Sequence, residues 1–241
     1  ISRDINKAIY YLSLAANQNY SKAQYNLGVI YYKGIMHLKN IHKGISYFIL
    51  SSNNGYIQAH FIVGYLYHEG NSLIERDIRK AIQYYKEGSS FNDQFSKNNL
   101  GIIYKNGYEN EIQKNVQLAI EYFEEAIKKD NDILSIYNLA NIYMYDEDFK
   151  DDEKSIDLLL NAFDKKFIQS QYLLCISLVK KYGFDISNIG KKLNEIYGTP
   201  INIIKAICKM IKENKINDEL IFTHLYQDYQ QIDFLYNFYY G

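Results

Sequence analysis

The stretch Ser21 to Gly34, SKAQYNLGVIYYKG, recurs down the chain at nearly constant spacing, and that recurrence limits the possible folds more than any other feature. Aligned on Gly28, the same slot holds Gly64, Gly101, Ala140 and Cys175, at spacings of 36, 37, 39 and 35 residues. Five residues before each stands another small residue: Ala23, Ala59, Ser96, Ser135 or Ser170. Three residues after stand Tyr31, Tyr67, Tyr104, Tyr143 and Leu178. Two small residues and a ring on one helical stripe let a neighbouring helix come close and be capped by the ring.

A second element recurs between these. Aligned on Ala8, its slots are Gly44, Ala81, Ala119 and Ser155, each followed at once by isoleucine. Four positions on come Leu12, Phe48, Tyr85, Phe123 and Leu159, and seven on come Ala15, Ser51, Gly88, Ala126 and Ala162. Offsets of this kind mark one face of an amphipathic helix. Each unit is therefore a helix pair, A then B, and no unit can bury its apolar face without a neighbour.

Three of the A stretches end in an aromatic-x-x-Gly signature: Tyr31-Tyr32-Lys33-Gly34, Tyr67-His68-Glu69-Gly70 and Tyr104-Lys105-Asn106-Gly107. With a period longer than the 34 residues of a tetratricopeptide unit, this resembles the Sel1-like repeat family, a relative of the tetratricopeptide repeat. The resemblance runs strongly over 4–131, more weakly over 132–183, and is lost beyond. It implies an all-α, right-handed α/α superhelix of helix pairs over 1–183, with a divergent helical C-terminal cap over 184–241. In the fourth unit Asp146 replaces the terminal glycine, so the loop there is expected to differ.

In order, the expected helices are an orphan B helix over 2–19, then 21–33 and 41–53, 57–70 and 77–90, 94–106 and 115–129, 132–145 and 152–165. The A helix of a fifth unit follows over 168–182. Because the chain opens on Ile1 at the start of a B helix, the N-terminus is expected to be a cut edge in a longer protein. Beyond Gly183 a degenerate helix 186–197, a Gly198-Thr199-Pro200 stop, and helices over 200–213 and from Asn217 are expected. Phe234, Leu235, Tyr236, Phe238, Tyr239 and Tyr240 close the sequence. They either fold back over the solenoid end or form a docking surface.

Composition excludes several classes of function. The formal net charge of −1 gives no electrostatic footprint for nucleic acid or an anionic membrane. No run of about 18–20 apolar residues is present to span a bilayer. Cys175 and Cys208 offer no disulfide framework, so free thiols and a cytoplasmic location are expected. The five histidines, His37, His42, His60, His68 and His224, make no His-Glu-x-x-His, and the glycines form no phosphate loop. His37 and His42 lack a carboxylate or cysteine at ligand spacing, and the acidic run Asp146 to Glu153 lacks the spacing of a calcium loop. No catalytic residue, cofactor or metal is expected.

What remains is surface. The resemblance implies that A helices line a concave groove, through the slots three before, four after and five after the central small residue. These are Tyr25, Tyr32 and Lys33; Phe61, His68 and Glu69; Asn98, Lys105 and Asn106; and Tyr137, Met144 and Tyr145. The function expected is a non-enzymatic scaffold or adaptor for other proteins. Two alternatives stand beside it: the accessory repeat region of a kinase-like or endoplasmic-reticulum quality-control protein, and a fixed part of a cytoskeletal or flagellar assembly. A hydrolase resembling the cysteine-rich bacterial relatives would need a cysteine pair in every repeat, which is absent here.

Overall fold

The computed structural model describes residues 5–35, 38–108, 111–130, 132–165, 167–183 and 185–213. Every regular element in them is helical: α1 (Ile5–Asn17), α2 (Ser21–Lys33), α3 (Ile41–Asn53), α4 (Ile57–Glu69), α5 (Ile78–Ser90), α6 (Gln94–Asn106), α7 (Val116–Asp130), α8 (Ile133–Tyr145), α9 (Asp152–Asn161), α10 (Ile168–Tyr182), α11 (Ile186–Tyr197) and α12 (Ile201–Glu213). The A helices are α2, α4, α6, α8 and α10, and α1, α3, α5, α7 and α9 are the B helices. The expected boundaries hold within a residue or so, except in α1, which ends at Asn17 and not at Asn19 and whose expected start at 2–4 lies outside the described residues, and in α9. That helix stops at Asn161 and is followed by a 3-10 turn, Phe163–Lys165. Two expectations, the helix from Asn217 and the roles of the aromatic residues 234–240, lie outside the described residues.

Local chemistry fixes where each helix begins. Asn40, Asp77, Asn115 and Asp151 precede the B helices, and each side chain accepts a hydrogen bond from the N–H three residues on. Asp93 and Asp132 do the same for α6 and α8. The slot linking B to the next A needs a left-handed residue, which Asn19 (φ 62°), Gly55 (φ 82°) and Asn92 (φ 68°) supply.

One bond closes every A–B loop. The N–H of the residue ahead of B donates to the carbonyl of the A-helix tyrosine: Asn40 to Tyr31 at 2.9 Å, Asp77 to Tyr67 at 2.8 Å, Asn115 to Tyr104 at 2.8 Å and Asp151 to Tyr143 at 2.7 Å. The first three loops leave A through a left-handed glycine, Gly34, Gly70 or Gly107. Asp146 instead leaves in extended conformation, φ −82° and ψ 122°. The fourth loop therefore takes a different path to the same closing bond, as a side chain disfavours positive φ.

Packing follows the small slots. The rings of Phe48, Tyr85 and Phe123, each 0% exposed, lie on Gly28, Gly64 and Gly101. Three tyrosine pairs stack between A and B with centroids 5.8 Å apart: Tyr31–Tyr47, Tyr67–Tyr84 and Tyr104–Tyr122. The chain divides into two compact units, Ile1–Asp130 and Asn131–Gly241. This division falls inside the repeat array, whereas the loss of repeat register in the sequence falls at 183. Compaction and register are separate properties of a repeat chain. The core of the second unit gathers Ala140, Ile156, Leu159, Leu174, Cys175, Ile189, Leu193 and Ile207.

Candidate functional site

The three candidate rows divide by burial. In the row three before the small residue, rings clasp the start of the next A helix. Tyr25 lies 4.9 Å from Tyr56, Phe61 lies 5.6 Å from Phe95, and Tyr137 meets Phe167 edge-on at 5.9 Å. Phe61 and Tyr137 are buried, as is Asn98, and Tyr25 is half-buried. Burial raises the Tyr25 and Tyr137 hydroxyls above the usual phenol range.

The row four after the small residue also turns inward. Tyr32 is half-buried against Phe48, 5.9 Å away. His68 is 7% exposed, and its Nε2 shares a hydrogen bond with the Tyr108 hydroxyl at 2.5 Å. Its Nδ1 is buried without a hydrogen-bond partner. Burial, with Arg76 adding to it, pushes the imidazole down to about 4, so His68 is neutral near neutral pH. Met144 is 2% exposed and accepts a hydrogen bond from Ser177 Oγ at 3.2 Å. Lys105 is half-buried, and burial, with Lys114 adding to it, lowers its ammonium.

Only the row five after the small residue faces outward. Lys33, Glu69 and Asn106 are exposed, and Tyr145 is half-buried beneath Lys180, whose Nζ lies 4.3 Å from the ring centroid. Of the candidates, Phe61, His68, Asn98, Tyr137 and Met144 are thus packing residues in the folded chain. Little of their side chains reaches the surface.

The sequence reading missed the partners of these rings. Tyr56 and Phe167 stand directly ahead of α4 and α10, in the slot that Asp93 and Asp132 fill as caps elsewhere. A recurring choice between ring and cap at that slot was the available signal. Lys97 was also missed. It is 7% exposed, and its Nζ donates to Asn92 Oδ1 at 2.6 Å and pairs with Glu125 at 3.3 Å. Its charge is therefore met inside the fold.

Among the described residues, no group of three or more His, Cys, Asp or Glu is placed to hold a metal. His37 lies outside those residues. Burial pushes the Cys175 thiol up to about 12 and also raises Cys208, which makes both poor nucleophiles at neutral pH. A cavity of about 500 Å³ opens at the loop edge, lined in part by Tyr67, Arg76, Asp77, Lys80 and Glu111. Its charges are largely engaged already: Lys80 pairs with Asp77 at 3.2 Å, and the Arg76 guanidinium lies 4.7 Å from the Tyr108 ring centroid. No helix among the described residues is long and apolar enough to cross a membrane.

The repeat slots, the loop-closing bond and the A–B stacking agree with the comparison to known families. A family model described as Sel1 repeat matches residues 1–20, 21–56, 57–90, 95–131 and 133–166. The chain belongs to the Sel1 repeat family. Its fold is similar to a Sel1 repeat protein from Oxalobacter formigenes, with a TM-score of 0.69 at 22% identity, covering 89% of this chain and 81% of that one. It is also similar to c5321, a protective antigen present in uropathogenic Escherichia coli strains and displaying an SLR fold. There the TM-score is 0.68 at 18% identity, over 91% of this chain and 54% of that one. No curated protein matches the chain. Repeats of this family are generally non-catalytic and serve as protein-interaction modules.

Proposed function

We propose that the chain is a non-catalytic scaffold that holds a partner protein along the outward row of its A helices. The observation that carries this reading is the division of the three rows. The two inner rows are engaged in packing, Tyr25 and Phe61 against rings at the start of the next A helix, Tyr32 against Phe48 and His68 against Tyr108, while the next residue along, Lys33, Glu69 or Asn106, is exposed at the same slot of α2, α4 and α6. Tyr32 and Lys105, half-buried beside them, supply apolar area at the base of the row. The mixture of one cation, one anion and one amide suits a partner segment of mixed charge. A strongly acidic or basic one would meet repulsion at one end. Repeat stacking makes such a row stiff, which lowers the ordering cost of binding.

The test places a photo-crosslinking amino acid at Glu69 and, separately, at Glu121 on the exposed side of α7. Crosslinked partners are then identified by mass spectrometry from the source cells. Partners captured from position 69, absent from position 121, and lost in a Lys33→Glu, Glu69→Lys chain support the reading. Equal capture from both positions would remove the A-helix row from consideration.

A further inference from the structure

The slot four after the small residue of an A helix is filled by uncharged groups in α2, α4, α8 and α10. Tyr32 rests on Phe48, neutral His68 is covered by Tyr108, Met144 takes a hydrogen bond from Ser177, and Val179 packs against the core of the second unit. Lys105 of α6 breaks the pattern. Its side chain is half-buried at the same slot, and Nζ is not sealed from solvent. Among the described residues, the one charge acting on its ammonium is the like charge of Lys114, and no carboxylate or carbonyl meets it.

A cation drawn partly out of water with no counter-ion lowers stability, and burial, with Lys114 adding to it, pulls this ammonium below its ordinary range. The A–B loop holds Lys114 in place: a β-carbon on Gly107 would lie 2.9 Å from the Lys114 nitrogen, and the Asn115 N–H donates to the Tyr104 carbonyl at 2.8 Å. A cation in the last turn of a helix does complement the macrodipole. Yet α2 and α10 place that cation one residue further on, at exposed Lys33 and Lys180. In α6 the outward slot holds exposed Asn106, and the cation is turned inward. A charge that breaks the packing rule of its slot without compensation inside the fold marks a site compensated from outside.

We propose that Lys105 receives an acidic side chain of the partner segment, while a basic side chain of the same segment, about three residues away, meets Glu69. This rests on the reading that the A-helix row holds a partner, and it supplies that partner's chemistry. Glu69 is the exposed carboxylate of the preceding A helix, one slot outward. Helices α4 and α6 touch through Phe61 and Phe95. Packed helices lie about 8–10 Å apart, a span that about three residues of extended chain cover at about 3.3 Å each. A carboxylate fits better than a phosphate group. Lys105 stands at the carbonyl end of α6, whose partial negative charge opposes a dianion, and a single ammonium offers no fork of donors. An ion pair between exposed side chains is worth little, whereas this one forms where the cation is already partly dehydrated.

The test uses the full 241-residue chain with isotope-labelled lysine, and two capped peptides, Gly-Ser-Lys-Tyr-Ser-Glu-Ser-Gly and the same sequence in reverse order. NMR follows the Lys105 ε-methylene signal, assigned by its loss in a Lys105→Met chain, and the ring signals of the peptide tyrosine. The expected result is saturable binding of one of the two peptides, with a shift of the Lys105 signal. Binding should weaken at least about tenfold when glutamine replaces the peptide glutamate, and likewise in the Lys105→Met chain. That variant carries the residue of the fourth repeat at this slot, and is expected to melt above the parent because a desolvated charge is removed. No saturable binding of either peptide, equal binding of the glutamine peptide, or a Lys105→Met chain that melts below the parent would overturn the proposal. Binding lost in the Lys33→Glu, Glu69→Lys chain but undiminished in Lys105→Met would overturn it while leaving the outward row standing. Binding that survives in the Lys33→Glu, Glu69→Lys chain would overturn the outward row as well.

Discussion

Gly64 lies flat against the ring of Tyr85, so close that a β-carbon there would sit 2.7 Å from both Cδ1 and Cε1. The same relationship joins Gly28 to Phe48 and Gly101 to Phe123, which makes it the contact that sets how near A and B approach. Tyr85 is 0% exposed and has no room to retreat. Shape decides this position, because helix propensity alone would favour alanine there.

Opposite effects are therefore expected at two helical glycines. Gly64→Ala gains up to about 1 kcal/mol of helix propensity. It must also displace a buried ring, so a net loss of about 1–3 kcal/mol is expected. Gly190 in α11 has its nearest neighbour, Ile204, 3.5 Å from a built β-carbon, an ordinary contact. Gly190→Ala is expected to stabilise by about 0.5–1 kcal/mol. Urea unfolding of both variants checks the pair, and a Gly64→Ala chain as stable as the parent would show that the A–B spacing is slack.

The stacked tyrosines make a second energetic claim. Tyr67 and Tyr84 lie 5.8 Å apart with planes 7° from parallel. A double-mutant cycle with Tyr67→Leu and Tyr84→Leu is expected to give a coupling of about 0.5–1.5 kcal/mol. A coupling indistinguishable from zero would reduce the stack to two independently buried side chains.

These contacts explain how much the sequence disclosed. The period, the pairing of A with B and the helix ends were legible because each depends on a residue type with few substitutes: glycine or alanine under a ring, Asp or Asn ahead of a helix, glycine at positive φ. The shortened α9 was not legible, since the residues at 162–165 include no glycine or proline; where the helix stops, Phe163 is buried and its carbonyl accepts a hydrogen bond from Gln171 Nε2 at 3.0 Å. Burial of the candidate rows was hidden for another reason. His68 looks polar in sequence and is covered by Tyr108, forty residues on, while Phe61 is covered by Phe95 of the next A helix. Periodicity reveals which side of a helix meets its own pair; contacts to the next repeat depend on residues such as Tyr108 and Phe95 whose type changes from unit to unit.

Removal of one cap should be felt at one helix start. The Asp77 carboxylate accepts the Lys80 N–H at 2.9 Å, and that bond is the main cause of its lowered pKa. Asp77→Ala is expected to cost about 1 kcal/mol. Because the folded-state pKa lies below the ordinary carboxylate value, the contribution is fully present above that value and disappears as the pH falls through the lowered one. The difference in stability between parent and variant should therefore shrink only at strongly acidic pH. A difference that changes around neutrality would place its origin elsewhere.

His68 provides the test with the clearest pH window. Its ordinary pKa of 6.5 falls to about 4 in the folded chain, chiefly through burial, with the Arg76 guanidinium adding to the effect. Between these values the unfolded chain takes up a proton that the folded chain refuses. Stability from this residue is therefore undiminished above pH 6.5 and is lost as the pH falls towards 4, by of order 3 kcal/mol in total. His60 is lowered in the same direction, so the contribution is read as the difference between the parent and His68→Gln. The parent should lose stability more steeply than the variant over that window. In the folded parent, the His68 ring resonances followed by NMR should stay in their neutral positions well below pH 6. Titration of His68 near 6.5 would mean that Tyr108 does not close over the ring in solution, and would return this slot to the exposed surface.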